Sequence, residues 1–388
     1  MSQPLPLTDV CVIEIGHSIA APYAGQIFSQ LGARVIKIES STKGDYARGW
    51  GPPFIEGAAA LFHAMNNGKQ SIRADFSDKE CLEKVHALIL EHADVVIQNL
   101  KPGNLESYGL GAQALTAAKP SLIYCNLGAF GANGPLREKP GYDPLAQAYS
   151  GMMSILGHEG DAMSRVPLSL NDMGTGMWTV IGVLSALRTR DADPLRRGQT
   201  VDVSLYETAL AWMMVPLSDV LAGAALPKRS GSSSPNIVPY QVFDCADRAI
   251  LVAAGNDILY AKLCQAMELP ALAQDSRFIA NGGRVENRVA LIELLQARFK
   301  ELPAQTWLAK LEAVSIPCGP IQTVDRVIAN EQTQALDILR TTPDGKATTV
   351  ALPLSFNGQR PPLAGNTPTL GEHDYLLHPA PTQPPTET

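Results

Sequence analysis

The chain has 388 residues, 45% hydrophobic and 18% charged, more than one hydrophobic core organises, so two domains are expected. Its 31 Lys and Arg against 38 Asp and Glu leave a net charge of −7, which excludes the clustered positive excess that grips a nucleic-acid backbone. No window approaches the ~20 apolar residues of a membrane-spanning helix, and the N-terminus lacks the basic start and apolar run of an export signal, so neither membrane nor export is expected and the cytoplasm is the expected compartment.

In chain order, the first 130 residues alternate short apolar runs at 10–15, 35–38, 95–97 and 122–125 with helical patterns at 22–31 and 78–90. That alternation predicts βαβ units and a parallel sheet. Pro22 suits the first turn of a helix and Gly32 the stop after it. The stretch after the first strand, Glu14-Ile15-Gly16-His17-Ser18-Ile19, lacks Gly-x-Gly-x-x-Gly, so a Rossmann-like sheet without a nicotinamide cofactor is expected. A long helix follows over 173–190, a strand over 200–205, and a helix to about 220. Residues 226–239 are rich in Pro, Gly and Ser and read as a linker and mobile loop. Beyond them, strands at 241–243 and 249–253 and helices at 257–267, 284–300 and 304–314 predict a small α+β domain. The expected partition is a large α/β domain over 1–222 completed by 330–378, a linker over 223–240, a small domain over 241–329, and a Pro-rich disordered tail over 379–388.

Six cysteines without a Cys-x-x-Cys pair and seven histidines without a His-x-x-x-His pair predict no disulfide scaffold and no metal site. Parallel sheets bind ligands beyond the carboxyl ends of their strands, which draws attention to His17, Ser40 and Asn99. Asp172 precedes a long helix whose N-terminus favours an ionised carboxylate. The same position suits an ordinary N-cap, the commoner case. Gly174, Gly176 and Gly182 each cost that helix about 1 kcal/mol relative to Ala, so another backbone or a ligand is expected to approach closely.

Several segments, in order, resemble the class III CoA-transferases, the family of formyl-CoA transferase and carnitine CoA-transferase. They are 12–39, Asn66-Asn67-Gly68-Lys69, 93–103, Gly141-Tyr142-Asp143, Asp172 with its glycine-bearing helix, and 314–320. Residues 44–54 and 237–243 are most similar to the branch that uses succinyl-CoA and dicarboxylates such as glutarate. The resemblance implies transfer of CoA from an acyl-CoA donor to a free acid, with CoA thioesters as substrates and no permanently bound cofactor. Asp172 matches the family nucleophile, which forms first an anhydride and then an aspartyl-CoA thioester. Ser18, Ala20, Ser40, Lys69, Asn99, Leu100, Lys101 and Lys139 fall on CoA-contacting segments or stand as replacements there, with Lys69 the foremost phosphate candidate. His17, Ile19, Arg48, Tyr142 and Asp143 fall around the acyl group, Arg48 being the option for a distal carboxylate. Ile19, Ser40 and Ser107 depart from the formyl-CoA enzyme, which has a Gln and two Arg there. Gly231 matches a mobile lid loop. An interlocked homodimer is also implied.

Two other readings are weighed. A 2-methylacyl-CoA racemase of the same superfamily needs an imidazole base where this chain has Tyr142, and a phenol of pKa ~10 is a poor base at neutral pH. A non-catalytic acyl-CoA-binding protein has no need of Asp172.

Overall fold

A computed structural model describes residues 5–378. The chain divides into two compact units, one comprising the chain up to Met152, Val166–Val215 and the chain from Glu331 on, the other Met153–Arg165 and Pro216–Asn330. The expected partition puts 153–165 and 216–222 in the large domain. Contacts instead assign them to the smaller unit, where the Gly231 N–H donates to the Gly157 carbonyl at 2.9 Å and Arg229 to that of Ala162 at 3.1 Å.

The larger unit is built on six parallel strands: β1 (Cys11–Ile15), β2 (Arg34–Ser40), β3 (Gln70–Ala74), β4 (Val95–Gln98), β5 (Ile123–Gly128) and β6 (Thr200–Ser204). Their order across the sheet is β3-β2-β1-β4-β5-β6, the doubly wound arrangement. Alternate residues face opposite sides. Val12, Val35, Val95 and Ile97 pack with Phe28, Val180 and Val183, while Ile13, Ile36, Ile38 and Val96 pack with Val85, Leu88 and Ile89. Near their carboxyl ends, β1 and β2 switch the first of these faces from apolar to charged, and Glu14 and Lys37 are fully buried there.

Helix α1 (Ala20–Gln30) starts two residues before Pro22, which still lies in the first turn where its missing N–H is not needed. It ends in a Schellman closure, with Ala33 N–H on the Phe28 carbonyl, Gly32 N–H on that of Ser29, and Gly32 at φ +101°. Helix α2 (Lys79–His92) is capped by Asp78, whose carboxylate accepts from the Glu80 N–H at 2.9 Å. Helix α3 spans Asp143–Tyr149, α4 Leu170–Ala192 and α5 Leu205–Trp212. The single helix expected after 205 is two, α5 and Met214–Leu221.

The α4 glycines are explained by packing. A Cβ at Gly176 would lie 2.9 Å from the Ala20 carbonyl oxygen, one at Gly174 2.7 Å from Thr208 Cγ2, and one at Gly182 2.8 Å from Val201 Cγ1. The approach is therefore by neighbouring protein, with backbone the limiting group at Gly176.

The smaller unit carries a three-stranded antiparallel sheet of β7 (Tyr240–Asp244), β8 (Ala249–Ala253) and β9 (Cys318–Pro320), in the order β9-β8-β7. Phe243 stacks on Phe299 at 4.6 Å and Phe299 meets Trp307 edge-on at 5.1 Å in its core. The helix expected over 284–300 breaks at Asn287 into Asn281–Glu286 and Arg288–Phe299. Among the described residues no helix is long and apolar enough to cross a membrane, and no group of three His, Cys, Asp or Glu is placed to hold a metal. The tail predicted over 379–388 lies outside the described residues.

Candidate active site

The strand order reverses between β1 and β4, so a crevice is expected beyond their carboxyl ends. A cleft of about 210 Å³ lies there, lined by His17, Ser18, Ile19 and Ala20 after β1, Asn99, Leu100, Lys101 and Pro102 after β4, Arg137, Lys139, Gly141 and Tyr142 beyond β5, and Asp172 and Thr175 of α4. A second cleft, about 520 Å³, shares His17, Leu100 and Lys101 with the first and adds Ser40, Asp45, Tyr46, Asp75, Phe76 and Tyr108. Small-ligand sites span ~300–1,000 Å³, so the Asp172 cleft alone is small for one, and His17, Leu100 and Lys101 border both clefts.

Asp172 lies inside α4, as its third residue, and not before the helix as its sequence position suggests. Ser169 at the N-cap makes no side-chain cap. Asp143 does that work from α3: its Oδ2 accepts from the Asn171 N–H at 2.6 Å and from the Asp172 N–H at 3.3 Å, and its Oδ1 accepts from Gln147 Nε2 at 2.5 Å. Asp143 is buried and lines neither cleft, so what the structure gives it is the cap and not the expected place beside the substrate. Burial, and then the Asp143 carboxylate, push Asp172 up to about 7, above the ordinary carboxylate range.

The turn after β1 is tied to the end of β4 from both sides. Asn99 Oδ1 accepts from the His17 N–H at 3.0 Å, and its Nδ2 donates to the His17 carbonyl at 2.9 Å. His17 Nδ1 lies 2.8 Å from Ser18 Oγ, and its ring meets Tyr46 edge-on at 4.9 Å. Burial lowers the imidazole's pKa below its ordinary value, with Asp45 opposing and Lys37 adding to the effect. Tyr142 is exposed at the start of α3.

Two expected ligand cations are engaged elsewhere. Lys69 is buried and lines neither cleft; its Nζ donates to Glu14 Oε2 at 2.7 Å, the Pro22 carbonyl at 2.8 Å and Asn66 Oδ1 at 2.9 Å. A carboxylate buried in β1 takes its charge, and the phosphate contact expected of it is not among the contacts seen here. Arg48 likewise lines neither cleft. Its guanidinium meets both Glu39 oxygens at 2.8 Å through Nε and Nη2 and lies 3.9 Å above the Phe62 ring, so Glu39 already takes one bidentate edge of the fork.

Lys101 faces both clefts, and Arg137 and Lys139 line the first, Lys139 also bonding the Tyr149 hydroxyl. Gly231 belongs to the smaller unit, at φ +63° with His158 where a Cβ would stand. Arg137, Asp45, Phe76, Tyr108 and Thr175 are cleft residues that sequence reasoning missed. A signal existed for Phe76, which follows β3, but the polar pattern Gln70-Ser71-Ile72-Arg73-Ala74 hid that strand. Arg137 sits in a turn-rich stretch with no such signal.

The CoA-transferase family III profile matches residues 7–374. The chain is 35% identical over 336 residues to a succinate–glutarate CoA-transferase of Agrobacterium fabrum, covering 85% of this chain and 83% of that one. It is 33% identical over 327 residues to the succinyl-CoA:glutarate CoA-transferase of Mus musculus, covering 84% and 74%. Among solved structures it resembles a CAIB/BAIF family protein from Brucella suis, with 38% identity, a TM-score of 0.85, and coverage of 97% of this chain and 99% of that one.

Proposed function

The chain belongs to CoA-transferase family III, and from that premise we propose that it carries CoA from a succinyl-CoA-type donor to a free dicarboxylic acid through covalent intermediates on Asp172. The observation that carries this reading is the Asp172 carboxylate in the first turn of α4, lining one cleft with Lys101, Arg137 and Lys139, its pKa raised by burial to about 7. Such a group is substantially ionised at neutral pH, and its partial desolvation favours attack on a carbonyl.

Ionised Asp172 attacks the thioester carbonyl; the C–S bond breaks and the CoA thiolate leaves an aspartyl anhydride. The thiolate then attacks the aspartyl carbonyl of that anhydride, releasing the donor acid as its carboxylate and forming an aspartyl-CoA thioester. The acceptor carboxylate attacks that thioester and expels CoA again, giving a second anhydride. Finally the thiolate attacks the acceptor's acyl carbon, and free Asp172 leaves with its charge restored. No net proton transfer is needed, and Lys101, Arg137 and Lys139 in the cleft wall supply positive charge for the anionic groups.

The larger cleft suits the nucleotide end, with Lys101 at its junction with the acyl cleft and the rings of Phe76 and Tyr108, 5.5 Å apart and tilted, as aromatic surface for adenine. Support for the dicarboxylate comes from the relatives named succinate–glutarate and succinyl-CoA:glutarate CoA-transferases. A cytoplasmic homodimer belongs to the same proposal. Along α4, Met173, Met177 and Ile181 share one face with Trp178 beside them, each more than a third exposed, an apolar stripe that a second copy would bury.

The test is incubation with succinyl-CoA and labelled glutarate, with hydroxylamine trapping and peptide mass spectrometry. Labelled glutaryl-CoA together with a hydroxamate on Asp172 is expected. Labelled product with Asp172 unmodified, and turnover surviving in Asp172→Ala, would overturn the covalent route. Native mass spectrometry at working concentration reads the dimer directly.

A further inference from the structure

We propose that Asp45 is a positioning residue for the Asp172 cleft, holding the turn at 16–18 with one carboxylate oxygen on the Ser18 N–H and the other on the buried Lys37 ammonium. This rests on the CoA-transfer reading above.

Ser18 adopts φ +72°, a left-handed conformation that costs a residue with a Cβ and persists only where its surroundings enforce it. The enforcement is visible at four of the turn's backbone groups. Lys37 Nζ donates to the Gly16 carbonyl at 2.9 Å, Asn99 takes both polar groups of His17, and Asp45 Oδ1 accepts from the Ser18 N–H at 2.8 Å. A Cβ on Gly16 would lie 2.6 Å from Ala21 Cβ, so the chain enters the turn through a gap only glycine fits.

Asp45 is itself held. Its Oδ2 meets Lys37 Nζ at 2.8 Å, Lys37 meets Glu14 at 2.6 Å, and the Asp45 N–H donates to Glu39 at 2.9 Å. Burial alone would drive Lys37 neutral; Glu14, Asp45 and Glu39 outweigh it and keep the ammonium charged. Capping the short helical turn Tyr46–Gly49 accounts for the contact from the Ala47 N–H at 2.8 Å. It does not account for the bond to Ser18, 27 residues away. That bond sets where His17, Ser18 and Ile19 stand in the cleft wall.

The test compares the full-length wild type, Asp45→Asn, Asp45→Glu and the double variant Asp45→Asn/Ser18→Gly, reading kcat, donor KM and amide hydrogen exchange at Ser18 without substrate. Both single variants are expected to lower kcat at least ~10-fold, because small misplacements at a reacting centre are costly. Donor KM should rise by less than kcat falls, since His17 and Asp45 also line the second cleft but Ser40, Phe76 and Tyr108 are not on this turn, and Ser18 should exchange at least ~10-fold faster. Asp45→Glu keeps Lys37 neutralised while displacing the oxygen from Ser18, which covers the event that Asp45→Asn fails to fold. In the double variant glycine takes the left-handed turn freely and should restore a large part of kcat, although it lowers stability. Unchanged kcat, or a loss of kcat that the glycine leaves uncorrected, overturns the proposal. If the wild type transfers no CoA at all, the transferase reading fails, and an unchanged Ser18 exchange in Asp45→Asn would separately sink the role of Asp45 in holding the turn.

Discussion

Asp143 caps the helix that carries Asp172 while raising the pKa of the side chain it positions. One carboxylate oxygen takes the Asn171 and Asp172 N–H groups at 2.6 and 3.3 Å, and its negative charge, second to burial, disfavours a second negative charge beside it. One residue on another helix thus contributes to both the geometry and the electrostatics at Asp172.

Transfer activity should therefore rise with pH through about 7, with the slope of a single deprotonation, in kcat/KM for the donor. Asp143→Asn keeps an oxygen for the cap and removes the charge. Its midpoint should move downward, by up to about 1 unit, because burial remains the larger cause. A midpoint unmoved or displaced upward would show that the carboxylate does not act as described.

The raised pKa has a cost in stability, with its sign fixed by linkage. Below pH ~4 Asp172 is protonated in both folded and unfolded chains and costs nothing; the penalty grows between 4 and 7 and is complete above 7, on the order of 4 kcal/mol at most. Asp172→Asn should raise the melting temperature at pH 8 and raise it less at pH 5, while abolishing transfer. Calorimetry at the two pH values checks this, and a lower melting temperature at pH 8 contradicts it.

Lys69 and Lys101 should separate cleanly. Lys69→Met leaves a buried Glu14 oxygen without its partner and should cost about 3–5 kcal/mol of stability. Lys101→Ala should leave urea unfolding unchanged and raise donor KM by roughly tenfold, the worth of one charge-assisted contact. The reverse pattern would restore Lys69 as a CoA ligand.

Gly176→Ala sets helix propensity against packing. Alanine favours the helix by about 1 kcal/mol, but its Cβ would meet the Ala20 carbonyl oxygen at 2.9 Å, and backbone cannot swing aside. Overpacking of this kind costs about 1–3 kcal/mol, so a net lower melting temperature is expected. Since Ala20 lines the cleft, a parallel loss of activity should accompany it.

The information legible along the chain was local. Apolar runs bounded by turn residues located β1, β2, β4, β5 and β6; Gly32 marked the end of α1; Asp172 and the segments after β1 and β4 stood out because parallel strands present their following residues together. A strand such as β3, with Ile72 and Ala74 its only apolar residues, carries too little periodicity to be seen before its neighbour Ile36–Ser40 is in place. Only the tertiary structure decided which charge meets which. Glu14 selects Lys69 from 55 residues away and Lys37 from 23, and Glu39 closes the Arg48 fork, so two cations that sequence position offered to a ligand are taken up beneath the site. Hydrophobic pattern and turn chemistry act over a few residues and are written in the order of the chain. Buried charges are neutralised by whatever opposite charge the fold brings within 3 Å, and that pairing exists only once the sheet has closed over it.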